Sequence, residues 1–339
     1  MPRLRSIVMQ ISFVEPHLEI YGGIRRVLEF SNRFVARGHA VTIYHPSGQK
    51  CTWMRSDSEI RPSSEFGKTE HEIVIFNDPP DYRRVQGSRA QLKVFYILDL
   101  DKQDKLTRFD PGIWWPRKGR ILSLKRALRM PFLKIVNATW MQQWLHDNLG
   151  INTRVQLGGV NRDVFHPVEV PRDPSVFRVL CSGDPRERKG TDTVMEATAR
   201  VRERHRNVAI QTYHRKGIPQ SEMASCYSQA DLFVDAQWYA GWNNPVVEAM
   251  ACGLPVVCTA IGGVQDFAWH ERTALLVPPR DPGRMAEAIE RMIEAPELRR
   301  RLAAAALEVA GRFDWEAATG QFLTLLETEF TRKRAGGKR

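Results

Sequence analysis

Strand-length apolar runs alternate with amphipathic helical stretches along almost the whole chain, and that rhythm leaves few folds open to it. Parallel strands need long crossovers, and a helix after each strand supplies them. The first half carries SIVMQISF, AVTIYHP, HEIVIFN, KVFYILD, KIVNAT and RVQLGG, and the helix between the first two places Ile24, Val27, Leu28, Phe34 and Val35 on one face. The series restarts at FRVLCSG and runs through NVAIQTY, DLFVDAQ, PVVCT and TALLVPP into an Ala-, Arg- and Glu-rich helical end. The fold class is α/β, with domains expected at 1–168 and 169–314, a polar, proline-bearing linker HPVEVPRDPS between them, and a terminal segment 315–339. At 339 residues and 42% hydrophobic, the chain can bury two cores.

Five cysteines (Cys51, Cys181, Cys226, Cys252, Cys258) have no paired metal-ligand spacing, and three fall in segments that read as buried. A disulfide framework is not expected, and a reducing, cytoplasmic setting fits. The N-terminal run is broken by Gln10 and Glu15, too short and polar for a signal peptide, and no apolar stretch approaches the roughly 18 residues of a membrane span. The net charge of +11 is concentrated: residues 102–134 hold ten Lys/Arg against two Asp, and the last eight residues, RKRAGGKR, are basic.

The richest stretch for chemistry is Trp238–Val264, WYAGWNNPVVEAMACGLPVVCTAIGGV. It reads as a short helix between two buried strands, with Asn244 as N-cap, Pro245 at the first helical position, and Gly253 followed by Pro255 as the stop. Such a helix start presents unpaired amides, Val246 and Val247 among them, and partial positive charge suited to a phosphate. Glu248, one turn in, is a good acceptor for sugar hydroxyls. Two further loops fall at strand ends: Tyr21-Gly22-Gly23 before the first helix, and SGDPRERKGTD with Gly183, Arg186, Arg188 and Lys189 ahead of a helix near Thr191. Two parallel α/β domains normally hold a ligand at the carboxyl ends of their strands.

With these residues in place the chain resembles the retaining glycosyltransferases of family 4, the glycosyl transferases group 1, which have the GT-B fold of two Rossmann-like domains. GGIRRVLEFSNRFVARGHAVTIY resembles that family's first loop, helix and second strand; GGVNRDVFHP its crossing between domains; SGDPRERKG its phosphate loop; NNPVVEAMACGLPVVCTAIGGVQDF its donor signature; ALLVPPRDP and RFDWE its closing strand and final helix. The resemblance implies an N-terminal acceptor-binding domain, a C-terminal donor domain and a last helix returning to the first. It assigns the donor diphosphate to Lys189, the ribose to Glu248, and further donor contacts to Gly22, Gly23, Gly183, Arg188, Asn243, Asn244, Val246, Val247, Gly262 and Gly263. Lys189, Arg186 and Glu248 are the expected catalytic residues, with no metal and no cofactor beyond the nucleoside-diphosphate sugar itself.

Three departures bear on mechanism. Ala240 stands where the family has a second glutamate, so either that role is dispensable here, or Asp235 or Asp266 covers it, or the site is weakened. Asp184 stands where an arginine usually follows the loop glycine, so Arg186 or Arg188 is expected to supply that charge. No family histidine follows the fourth strand; YILDLDKQ, with Asp99 and Asp101, stands there, and its D-x-D pattern is too common to assign a metal. The expected reaction transfers a sugar with retention to a hydroxyl of a lipid-linked or polysaccharide acceptor at the cytoplasmic face of a membrane. The alternatives are a nucleotide-sugar epimerase of the same fold and a donor-binding protein with weak or lost transferase activity. Within 102–134, Ile121, Leu124, Ala127 and Leu128 share one helical face and Lys125, Arg126 and Arg129 another, just after Trp114 and Trp115; this suits either an anionic membrane surface or an ordinary core helix. No nucleic-acid motif accompanies the charge.

Overall fold

In the computed structural model, which describes residues 8–100, 106, 115–214 and 216–336, the alternating runs form two parallel sheets. The chain divides into two compact units, Met1–Gly158 with Trp315–Arg339, and Gly159–Asp314. Among the described residues the first unit holds β1 (Gln10–Val14), α1 (Gly22–Ala36), β2 (Ala40–His45), β3 (Glu59–Pro62), β4 (His71–Phe76), α2 (Tyr82–Gln86), β5 (Ala90–Ile97), α3 (Trp115–Arg129), β6 (Leu133–Val136), α4 (Thr139–Leu149) and β7 (Arg154–Val155). Their order is β3-β2-β1-β4-β5-β6-β7, in register Ile11↔Val41 on one side of β1 and Ile11↔Ile73 on the other. The order reverses at β1, the position at which such sheets open a crevice.

Burial on both faces explains the near-continuous apolar strands. Ile11, Phe13, Ile73, Ile75, Val94 and Ile135 pack against Ile24, Val27, Leu28 and Phe34 of α1, the face anticipated for it, and Phe30 joins them. The final helix, Trp315–Gly336, lies in this same unit: Phe30 meets Trp315 and Phe322 edge-on, with centroids 5.0 and 4.9 Å apart. The Arg37-Gly38-His39 turn follows from local chemistry. Gly38 adopts φ +86° after the helix, and His39 turns back so that its Nδ1 accepts the Met9 amide at 3.2 Å.

The second unit holds β8 (Phe177–Cys181), β9 (Val208–Thr212), β10 (Leu232–Asp235), β11 (Val256–Thr259) and β12 (Leu275–Val277), ordered β12-β11-β10-β8-β9. Its connecting helices are Thr191–Arg204, Met223–Ser228, Asn244–Ala251, Pro282–Glu294 and Pro296–Ala310. Asp281 shows how local sequence starts one of them: its carboxylate accepts the Arg284 amide at 2.9 Å ahead of Pro282.

The boundary between units falls at Gly158/Gly159, ahead of the expected 168/169. Hydrogen bonds explain the difference. The Val160 amide donates to the Phe313 carbonyl at 2.7 Å and the Val168 amide to Ser228 Oγ at 3.1 Å, which ties the start of the supposed linker to the second unit. Strand β3 was not anticipated; its EIRP sequence lacks apolar alternation and is tolerated at a sheet edge, where Pro62 loses little.

The basic segment is described only from residue 115 onward apart from Leu106, so Lys102, Asp101 and Trp114 lie outside the described residues, as do the last three residues of the tail. Within α3 the apolar face of Ile121, Leu124, Ala127 and Leu128 is buried in the first unit. That face belongs to the core, and among the described side chains Arg120, Leu122, Arg126 and Arg129 are exposed on the helix. No described helix is long and apolar enough to cross a membrane.

Candidate functional site

The carboxyl ends of β8, β10 and β11 carry a connected set of polar side chains. Beyond β8 the chain turns at Gly183, whose φ of +73° favours glycine and where a Cβ would lie 2.5 Å from that of Thr212. The loop closes through a tight turn, Lys189 amide to Arg186 carbonyl at 2.7 Å, and reaches Gly190 at φ +64°. A Cβ on Gly190 would sit 2.0 Å from the Ala236 carbonyl oxygen, so only glycine lets this loop lie against the end of β10. That approach aims Lys189 inward, and its Nζ donates to Gln237 Oε1 at 2.8 Å. Burial pushes the Lys189 ammonium below the usual lysine range, and the Asp235 charge partly restores it.

Gln237 is the hub of this set. Its amide and Nε2 donate to Asp235 at 3.2 and 3.0 Å, Nε2 also reaches Asn243 Oδ1 at 3.0 Å, and Thr259 Oγ1 donates to its carbonyl. Asn243 Nδ2 donates to Asp235 at 2.9 Å, and the Asn243 amide to the Gly263 carbonyl at 2.9 Å. Asp235, 4% exposed, thus accepts three donors and is committed to holding the strand end. It does not take the place of the carboxylate missing at Ala240.

The helix Asn244–Ala251 starts one residue earlier than anticipated: Asn243, not Asn244, is its N-cap. The Asn243 side chain is occupied by Asp235 and Gln237, so it caps with its carbonyl, which accepts the Val247 amide at 3.3 Å. This removes Val247 from the amides offered to a ligand and leaves Asn244 and Val246 at the positive end of the helix. Glu248 is buried one turn in, where Oε2 accepts the Tyr227 hydroxyl at 3.3 Å. Burial, and then the Glu248 charge, hold the Tyr213 hydroxyl well above its ordinary pKa; the neighbouring Tyr227 is raised by burial, Tyr213 and Glu248. Both stay neutral donors at physiological pH. Cys252, at the helix end, is pushed up to about 12 by burial and then by Glu248.

In the basic loop, Arg186 is not a free cation. It forks onto Asp184, with Nε at 3.0 and 3.1 Å from the two carboxylate oxygens. Burial pushes the Asp184 carboxyl up, but the Arg186 hydrogen bonds and charge outweigh it and hold it down at about 2. The expectation that Arg186 supplies the charge of the absent arginine is therefore corrected: Asp184 neutralises it. Arg188 lies over the Tyr239 ring at 5.4 Å, and its carbonyl accepts the Trp238 amide at 2.9 Å.

Gly262 and Gly263 form a tight turn after β11. A Cβ on Gly263 would lie 2.6 Å from the Ala240 carbonyl, so the two segments touch backbone to backbone. Gly22 and Gly23 belong to the first unit, where they open α1 behind Tyr21. Asp99 is exposed at the end of β5. Residues that the sequence did not single out as binding groups are Gln237, Tyr213, Tyr227 and Thr259; polar side chains at carboxyl ends of strands were the available signal for Gln237 and Thr259.

Residues 214–295 match the family model described as glycosyl transferases group 1. A D-inositol 3-phosphate glycosyltransferase of Frankia alni is 38% identical over 99 residues, 29% of this chain and 24% of that protein. The corresponding enzyme of Corynebacterium efficiens is 29% identical over 173 residues, 49% of this chain and 38% of that one. The matches thus span well under half the length of these curated relatives. In structure, the chain is similar to a sucrose-phosphate synthase from Thermosynechococcus elongatus, with a TM-score of 0.77 at 19% identity over 96% of this chain and 100% of that one. It is also similar to Anabaena HepE, solved in complex with UDP-glucose, with a TM-score of 0.74 at 18% identity over 94% and 100%. The fold is that of the GT-B glycosyltransferases, and residues 214–295 are similar to the glycosyl transferases group 1.

Proposed function

We propose that this protein is a retaining glycosyltransferase that moves a sugar from a nucleoside-diphosphate donor to a hydroxyl of a lipid-linked or polysaccharide acceptor. The observation that carries the proposal is the continuous link from Lys189 through Gln237 to Asn243, the cap of the helix that holds Glu248. It puts a desolvated cation and a helix N-terminus in one polar network, as a leaving diphosphate requires. The resemblance to HepE, whose structure contains UDP-glucose, supports the donor class.

In the proposed reaction, negative charge grows on the diphosphate as the bond to the sugar breaks, and Lys189, Arg188 and the Asn244 and Val246 amides stabilise it. Glu248 accepts from the ribose hydroxyls, held in place by Tyr227. The freed phosphate oxygen takes the acceptor proton on the same face, which accounts for retention without a protein base. The chain's own cations do this work, with no cofactor assigned. The acceptor class and contact with an anionic membrane through Lys125, Arg126 and Arg129 rest on the family resemblance and on the cations of α3, of which Arg126 and Arg129 are exposed and Lys125 half-buried.

Release of nucleoside diphosphate from a panel of nucleotide sugars, with and without glycan acceptors, tests the proposal. Acceptor-dependent release establishes transfer. Tight donor binding with no release establishes instead the donor-binding reading, which Ala240 and the Asp184–Arg186 pair favour. The relatives lend no support to the epimerase alternative.

A further inference from the structure

Arg280 holds a backbone conformation that a non-glycine residue rarely adopts, φ +61°, just beyond β12. Such a conformation is strained and persists only where its surroundings impose it. The side chain shows what it achieves. Val277 pairs with Thr259 of β11, so Arg280 leaves the sheet two strands away from Trp238, which follows β10. Its guanidinium carbon nevertheless lies 3.8 Å from the centre of the Trp238 ring. Trp238 is costly as well, because its indole Nε1 is buried without a hydrogen-bond acceptor among the described residues. Its position is explained by the ring face, not by the polar edge.

The adjacent Tyr239 carries Arg188 in the same manner, at 5.4 Å. Two neighbouring aromatic residues thus present two guanidinium groups. Among the described residues neither has a carboxylate within ion-pair distance, whereas Arg186 in the same loop is paired with Asp184. Asp281, next to Arg280, is used in capping the following helix. A guanidinium stacked on a ring keeps its in-plane N–H edge open, and that fork matches a planar oxyanion. Ala240, which follows, adds no polar group. The segment Trp238–Ala240 therefore carries two cations on its rings and supplies no carboxylate to neutralise them.

We propose that Arg280 recognises a carboxylate on the transferred sugar, so that the donor is a nucleotide-activated uronic acid. This inference rests on the donor-site reading above and makes Arg280 a specificity-determining residue. Arg280→Gly is the direct test, since glycine relieves the positive φ and the variant should fold.

Titration with uridine, guanosine, adenosine and thymidine diphosphates comes first. If none binds, the donor-site reading itself fails. With the preferred base, affinities for a matched glucose and glucuronate pair are then compared. The wild-type protein should prefer the glucuronate by about tenfold or more, and Arg280→Gly should bring the ratio close to one. Nucleoside diphosphate binding with no uronate preference, or a preference that survives in Arg280→Gly, overturns the inference while leaving the donor site intact. If donors are not distinguished but carboxylated acceptors gain over neutral ones in an Arg280-dependent way, the donor assignment is overturned in favour of an acceptor.

Discussion

Lys189 and Gln237, 48 positions apart, are joined by a 2.8 Å hydrogen bond from the ammonium to the side-chain carbonyl. Gln237 in turn is held by Asp235 and Asn243, so one amide side chain relates the basic loop, a strand end and a helix cap. The ammonium is kept in a half-buried setting with no direct carboxylate partner among the described residues, and this is the state an incoming anion relieves.

Nucleoside diphosphate should raise the melting temperature of the wild-type protein and do so far less in Lys189→Ala. Turnover in that variant should fall by roughly 100-fold, corresponding to about 3 kcal/mol lost from a donor that acts on developing charge. Thermal shift and steady-state kinetics on one preparation check both. An unchanged kcat would remove Lys189 from the mechanism.

Tyr227 donates to Glu248 at 3.3 Å, and this predicts a graded series. Glu248→Ala should cost at least tenfold in kcat/KM through loss of the ribose acceptor. Tyr227→Phe should cost only a few-fold, because it loosens Glu248 without removing it. Equal losses in the two variants would mean that the Tyr227 hydroxyl binds the ligand itself.

Glu15, 1% exposed at the end of β1, accepts both of its contacts from Asn77 Nδ2, at 2.7 and 2.6 Å. Burial raises its pKa well above the carboxylate value of 4.5, opposed by the Asn77 hydrogen bond and assisted by Asp81 and Asp78. For an acid raised in the folded state, the unfolded chain releases the proton first. Stability is therefore full below the unfolded value and erodes as pH rises towards the folded one, by about 1.4 kcal/mol per unit. Glu15→Gln should be more stable than wild type at pH 7 and equal to it near pH 4. Urea unfolding at the two pH values measures this.

Gly190 and Gly38 separate backbone strain from steric overlap. Both have positive φ, but a Cβ at Gly190 meets the Ala236 carbonyl at 2.0 Å whereas one at Gly38 meets nothing within 4 Å. Gly38→Ala should cost about 1 kcal/mol, and Gly190→Ala several times more, together with donor binding, because the Lys189 loop is displaced. Similar melting temperatures for the two would show that the loop moves freely.

The alternation of apolar runs and helices determined the two-sheet α/β architecture, because burial on both faces of a parallel strand demands a continuous apolar run that is visible residue by residue. The same local rules placed Lys189 beyond one strand, Glu248 on the short helix and glycine at the turns. Other features depended on which side chains meet once the chain has folded. Asn243 and not Asn244 caps the helix because Asp235 and Gln237 occupy its side chain. Arg186 is neutralised by Asp184, and the first unit ends at Gly158 because Val160 and Val168 bond into the second. Periodicity records which side chains are buried, whereas the partner of each buried polar group is settled only when the order β12-β11-β10-β8-β9 brings distant strand ends together.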